Sequence, residues 1–377
     1  MKIVIDDKIP FIKGVLEPYA EVVYKAGART TAEDVADADA IITRTRTICN
    51  ENLLKGSSVK AIATATIGFD HIDTVWCEAN GTAWSNAPGC NSWSVKQYIS
   101  AALAFLAEKH GMNLEGMTLG VVGVGNVGSK VAEVGKAFGM RVILNDPPRA
   151  RKEGSADFSG LDRIISECDI VTVHVPLQKE GEDATWHLFN EEMIGRMRPD
   201  QILINSSRGP VVDNKALKSA LQRHLLKGAV LDVWEGEPDL DPELVSLLDL
   251  ATPHIAGYSA DGKANGTSMS IRYISQQLGL PLTEWSATGL PAPVQPLVFE
   301  LDADGKSTQK TLSEAIFHSY DISKDSDALR NDLGAFEKLR GDYIVRREPS
   351  AFTVRLRNGS DDLARRLGMI GFKVEQI

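Results

Sequence analysis

The segment "MTLGVVGVGNVG", residues 117 to 128, decides how the rest of the chain is read. A short apolar run ends in Gly123, Gly125 and Gly128, spaced G-x-G-x-x-G, and a helical stretch, "NVGSKVAEVGKAFG", opens inside the motif. Glycine-rich turns are common, so the spacing alone is a weak sign. Between a strand and a helix it has a mechanism. The first glycine permits the tight turn, the second lets backbone approach a pyrophosphate, and the third lets helix pack on strand. At Asn126 and Val127 the start of the helix then offers N–H donors and a partial positive charge to the phosphates. Eighteen residues past Gly128, at the end of "RVILND", stands Asp146. A carboxylate there accepts from the adenosine ribose hydroxyls and repels a 2′-phosphate, which predicts NAD over NADP.

Working outward, the motif lies in a longer alternation. "MTLGVVGVG", "MRVILND", "CDIVTVHVPL", "DQILINSSRG", "GAVLDVW" and "DLATPHIAG" are apolar almost throughout, as strands buried on both faces should be. Upstream, "KIVI", "EVVY", "AIIT", "KAIATA" and "TAWSNA" alternate with helix-forming or turn segments in the same way. Residues 92 to 110 join the two series as one helix. Two doubly wound parallel-sheet lobes with a cleft between them follow, one of residues 1–100 completed by 258–285, the other of residues 101–257. Gly and Pro then mark a linker over residues 279 to 298. Beyond it "LVFEL", "DYIVRRE", "AFTVRLR" and "GFKVEQI", with helical stretches between, predict a small α+β module of ferredoxin-like order over 286–377.

Composition excludes several classes. At 377 residues the chain is too long for one core. A net charge of −10 disfavours nucleic acid and anionic membranes as partners. No apolar run is long enough to span a bilayer. "MKIVIDDKIP" meets acids at once and has no signal-peptide core, so a cytoplasmic protein is expected. Cys49, Cys77, Cys90 and Cys168 lack C-x-x-C spacing and read as reduced thiols, with no metal site expected.

Three ionisable residues each follow a strand of the second series: Arg208 after "ILINSS", Glu237 within "DVWEGEP", and His254 after "LATP". Ligands of an open parallel sheet bind at the carboxyl ends of its strands, so the three can share one crevice. "GVVGVGNVG", "HVPL", "NSSRGPVVDNKAL", "DVWEGEP" and "TPHIAGYS" together resemble the successive signatures of the NAD-dependent D-2-hydroxyacid dehydrogenases. "TATIGFDHID", "NAPGCNSWSV", "NDPPRA" and "HIAGYSADGKANGT" resemble the branch of that family that acts on a phosphorylated 2-hydroxy acid. Two segments depart from the wider family: "TIGFDHID" replaces a G-x-G-x-D-x-I-D loop, and "SVKQ" stands where several relatives carry "SVAE".

The resemblance implies that His254 is the acid/base, that Glu237 orients its ring, and that Arg208 binds the substrate carboxylate with a fork that lysine lacks. It implies further cofactor contacts from Val175, Pro176, Ser206, Ser207, Asp232 and Gly257. The candidate strands of the C-terminal module carry apolar residues beyond the two lobes and leave an edge or face to be covered, so the module is expected to mediate a homodimer. The "TRTRT" segment, residues 43 to 47, ends a strand of the first series and is expected to bend out of it. Arg44 and Arg46 then supply charge-assisted hydrogen bonds to a phosphate, with Thr45, Thr66 and Tyr258 on the substrate's other polar groups and Arg346 and Arg347 as weaker candidates. Two other readings stand beside this one: a phosphoglycerate or glycerate dehydrogenase, and an NAD-sensing binding protein of the corepressor type.

Overall fold

The structure, a computed structural model, describes residues 1–343 and 345–377. They form two compact units, one of Met1–Asn91 with Ser259–Pro291, the other of Ser92–Tyr258 with Ala292–Ile377.

The first unit is built on five parallel strands, β1 (Lys2–Asp6), β2 (Glu21–Lys25), β3 (Ala40–Thr43), β4 (Ala61–Thr64) and β5 (Ala83–Ser85), in the order β2-β1-β3-β4-β5. This flavodoxin-like order reverses direction between β1 and β3, the point at which open parallel sheets bind their ligands. Strands β3 and β4 are buried along their whole length, as their unbroken apolar character requires. Helix Ala260–Leu278 packs on β4 and returns the chain to this unit. It is capped by Ser259 at its start and stopped by Gly279 in the left-handed region.

The second unit holds six parallel strands, β6 (Thr118–Val122), β7 (Arg141–Asn145), β8 (Ile170–Val173), β9 (Ile202–Asn205), β10 (Gly228–Leu231) and β11 (Leu250–Ala251), ordered β11-β10-β9-β8-β6-β7. Direction reverses between β6 and β8, so the glycine loop leaves β6 at the switch point. Helix Ser92–His110 belongs whole to this unit, and the join expected near residue 100 falls inside it. It is buried on nearly every side because helix Gly128–Ala137 packs on one flank and helix Thr308–Ser319 on another.

The C-terminal residues carry three strands, β12 (Val298–Asp302), β13 (Thr353–Arg357) and β14 (Lys373–Gln376), all parallel and in sequence order. The ferredoxin-like order is therefore not formed. The described residues of "DYIVRRE" are not a strand, and Ile344 within it lies outside the described residues. Val354, Leu356 and Leu301 point into the core, while Glu300, Arg355, Glu375 and Arg357 line the opposite face and pair across it. Helices Thr308–Ser319 and Asp361–Ile370 bury Leu312, Ile316, Leu363 and Leu367 in one apolar cluster with Tyr98, Ala102 and Leu106. The departure at "SVKQ" has a physical use here. Lys96, 1% exposed, reaches Glu133 at 2.7 Å, and Gln97 donates to Ser319 Oγ at 3.2 Å and to the Arg347 carbonyl at 3.0 Å.

Candidate active site

At the switch point of the second sheet each glycine of the motif has a distinct reason. Gly123 has φ +87, and a Cβ on it would stand 2.8 Å from the His174 carbonyl carbon and from Val175. A Cβ on Gly128 would lie 1.9 Å from the Gly123 carbonyl oxygen. A Cβ on Gly125 would meet nothing within 4 Å, so here the glycine keeps open a space facing outward. Helix Gly128–Ala137 begins at Val127 with no side-chain cap, and Asn126 beside it is exposed. The Ser129 N–H in its first turn is taken by the Gly125 carbonyl at 3.1 Å, and a helix start without a side-chain cap suits a phosphate seated over Gly125. Val175 lies against Gly123, and the Pro176 carbonyl accepts from Thr185 Oγ1 at 2.6 Å.

Asp146 closes this loop. Its Oδ2 accepts from the Val124 N–H at 2.8 Å, and its Oδ1 caps the next helix by accepting from the Arg149 N–H at 3.0 Å. Each oxygen keeps a lone pair for a ribose hydroxyl. Arg149, in the helix that Asp146 caps, is held in a fork by Glu153 at 2.9 and 2.6 Å. The residues present therefore fit a dinucleotide with a free 2′-hydroxyl.

Following β10 and β11, two loops bring Glu237 and His254 together. Nδ1 of His254 lies 2.8 Å from Glu237 Oε2. A carboxylate only accepts, so Nδ1 carries the proton and Nε2 is left as the basic nitrogen. Glu237 is itself fixed, because its Oε1 accepts from the Trp234 N–H at 2.8 Å. His254 has φ +55, an uncommon backbone for a side-chain-bearing residue. It is held by N–H donation to the Asp232 carbonyl at 2.8 Å. Asp232 is 1% exposed and its carboxylate accepts three hydrogen bonds from the loop. It accepts from Thr252 Oγ1 at 2.7 Å and from the Ile255 and Ala256 N–H groups at 2.8 and 2.9 Å. Burial raises the pKa of this group, and the three donors oppose that rise. Gly257 and Tyr258, both half-buried, end the loop.

Arg208 follows β9 on a loop folded back by Asn205, which accepts from Ser207 N–H and Oγ at 3.0 and 2.8 Å and donates to the Arg208 carbonyl at 3.0 Å. A Cβ on Gly209 would lie 2.0 Å from the Trp234 carbonyl oxygen, so the Arg208 loop and the Glu237 loop touch backbone to backbone. One Arg208 nitrogen donates to the Ser207 carbonyl at 2.8 Å, and Ser206 Oγ is buried with no hydrogen-bond partner. Glu235 accepts from His187 Nε2 at 2.7 Å and from the Asn214 N–H at 2.8 Å. With Asp213 these form the acid–histidine cluster found among the described residues. Asp213 likewise gives one oxygen to backbone N–H groups, and the arrangement reads as a tie on the Glu237 loop.

In the first unit, β3 ends at Thr43 and the chain bends at Thr45 and Arg46, as expected. Arg44 donates to the Lys8 carbonyl at 3.3 Å, bridging the loops after β1 and β3 at that sheet's switch point. Its own carbonyl accepts from Thr64 Oγ1 at 2.8 Å, and Thr64 is hydrogen-bonded to Thr66 at 2.8 Å. Arg44, Thr45, Arg46 and Thr66 are thus neighbours.

Arg346 does not fit a direct substrate role. It is 3% exposed, and its Nη2 donates to the Ile255 and Ala256 carbonyls while Nε and Nη1 are buried without a hydrogen-bond partner. Arg340, which no motif marked, lies beside Tyr258, its guanidinium 6.0 Å from the ring centre.

Residues 95–256 match the family model described as D-isomer specific 2-hydroxyacid dehydrogenase, NAD binding domain, and residues 293–371 match a domain of unknown function, DUF3410. The D-lactate dehydrogenase of Aquifex aeolicus, solved with NAD and lactic acid, superimposes with a TM-score of 0.60 at 27% identity, covering 78% of this chain and all of that one. The fold is that of an NAD-dependent 2-hydroxyacid dehydrogenase. An erythronate-4-phosphate dehydrogenase of Bacteroides fragilis is 49% identical over 94% of this chain and 99% of its own length. That of Proteus mirabilis is 41% identical over 99% of both. The chain belongs to the erythronate-4-phosphate dehydrogenase family.

Proposed function

We propose that the protein oxidises the C2 hydroxyl of 4-phospho-D-erythronate to the 2-oxo-4-phosphate acid, a step of pyridoxine biosynthesis, with NAD as oxidant. The His254–Glu237 pair carries the reading: a bare Nε2 on a ring whose Nδ1–H is held 2.8 Å from a carboxylate is a poised general base. NAD, when bound, supplies the hydride acceptor at C2. His254 Nε2 takes the hydroxyl proton, and Glu237 stabilises the imidazolium that results. Arg208 has donors beyond the one it gives Ser207, and these bind the substrate carboxylate and polarise the C2 oxygen. Gly123, Gly125, Asn126, Val127, Gly128 and Asp146 hold the dinucleotide, with Val175, Pro176, Ser206, Ser207 and Gly257 around it. Asp232 serves this group by shaping the loop.

The 4-phosphate goes to Arg44 and Arg46, with Thr45, Thr66 and Tyr258 on the remaining polar groups. Position at a switch point supports this assignment. Four buried free thiols support a reducing, cytoplasmic setting, and no helix among the described residues is long and apolar enough to cross a membrane. The test is NADH production from 4-phosphoerythronate, erythronate and 3-phosphoglycerate. The first should be preferred, and Arg44→Met with Arg46→Met should raise its KM far more than that of erythronate. Equal damage to both substrates would leave the arginines structural. Preference for 3-phosphoglycerate would move the protein to another branch of the family.

A further inference from the structure

The C-terminal domain, whose family has no assigned function, touches the loop that carries His254. Strand β11, from which the loop departs, is two residues long and lies at the edge of its sheet. Helix Ile322–Asn331 covers that edge. Ser326 Oγ accepts from the Ala251 N–H at 3.1 Å, and Arg330 donates to the Val245 and Leu248 carbonyls at 2.7 and 2.8 Å. Further along, Arg346 Nη2 donates to the Ala256 carbonyl at 2.7 Å and to the Ile255 carbonyl at 3.2 Å. The guanidinium lies 4.4 Å from the Tyr320 ring centre and 5.7 Å from that of Tyr343. Both tyrosine hydroxyls donate to Asp325 Oδ2, at 2.7 and 2.6 Å.

The two residues after His254 are therefore held through both their N–H and their carbonyl groups. Asp232 takes the N–H groups of Ile255 and Ala256, and Arg346 takes their carbonyls. A left-handed histidine persists only where its surroundings over-determine it. A buried arginine beside two aromatic rings is a costly way merely to fill space, since an apolar side chain fills it without desolvating a charge. We propose that Arg346 is a positioning residue for His254, and that the C-terminal domain acts within its own chain as a brace that keeps the imidazole aligned on Glu237. Arg346 touches no reacting atom. Its effect passes through the backbone of residues 254 to 256.

This inference rests on His254 being the base of the proposed reaction, so one readout must not depend on turnover. The Nδ1 proton shared with Glu237 should give a slowly exchanging downfield NMR signal in the full chain, assigned by its absence in His254→Asn. In Arg346→Met that signal should broaden or vanish. The kcat should fall about ten- to a hundredfold, with substrate KM and NAD Kd within about twofold, as expected for a shifted catalytic group. Arg346→Lys keeps the charge but not the planar fork, and should lie between wild type and Arg346→Met. It also serves if the Met variant does not fold. A folded variant with the signal and kcat unchanged overturns the proposal, as does a rise in KM at constant kcat. If the wild type oxidised no 2-hydroxy acid, the proposed reaction would fail while the NMR signal still decided the brace.

Discussion

At His254 the backbone and the chemistry constrain the residue separately. With φ +55 the position disfavours side chains branched at Cβ, whereas Asn tolerates the left-handed region. His254→Asn should therefore remove the base with little distortion, lowering kcat by about 10²–10⁴ while NAD still binds. His254→Val should do the same chemically and also cost roughly 1–3 kcal/mol of stability through strain. Steady-state rates and denaturation curves of the two variants check both statements, and near-normal turnover in the Asn variant would require another base. The sequence made this residue legible as a site candidate because His254, Glu237 and Arg208 each follow a buried strand beside a dinucleotide motif. It did not reveal the left-handed backbone or the use of Asp232. An Asp that accepts from the next turn looks, in sequence, like any acid at a strand end.

Among the elements, apolar runs announced the eleven strands of the two large sheets, most plainly the central ones such as β3, β4, β6, β8, β9 and β10, which are buried along their whole length and so admit few polar residues. "DYIVRRE" misled because its aromatic and apolar run, Tyr343-Ile344-Val345, imitates the composition of a strand. There Arg346 is an inward residue and Val345 an exposed one, the reverse of what hydrophobicity suggests. Strand β8 carries a different consequence. It ends beside His174, whose Nε2 lies 2.9 Å from Thr172 Oγ1, and burial pushes the imidazole down from its ordinary range to about 3. Between that value and about 6.5 the unfolded chain binds a proton that the native chain does not. Stability from this group is thus complete above the unfolded pKa and is lost as pH falls. Going from pH 7 to pH 5 should cost about 2 kcal/mol from His174 alone. Denaturant unfolding of the wild type and of His174→Gln at both pH values measures it, and an equal acid loss in the two proteins would contradict the assignment.

For the whole molecule, the question is what the C-terminal domain leaves uncovered once it has packed on its own chain. Its apolar sheet face is already buried with helix Ser92–His110 against Leu312, Ile316, Leu363 and Leu367, so association cannot rest on that face. The opposite face is charged and internally paired between Arg355 and Glu375 and between Arg357 and Glu300. Exposed pairs of that kind contribute little. The outer strand β12 differs. It is an edge with unpaired backbone on one side, and Val294, Leu297 and Val298 at or just before it are 86%, 39% and 49% exposed. An apolar edge strand left open invites pairing with another chain, and a second copy meeting the first at this edge would bury both at once. We therefore expect a homodimer through the β12 edge. Leu297→Asp with Val298→Asp should shift it to monomer in sedimentation velocity while leaving the far-UV spectrum unchanged, because neither side chain belongs to the core. A double variant that stayed dimeric would move the interface elsewhere, and a monomeric wild type would remove the dimer altogether.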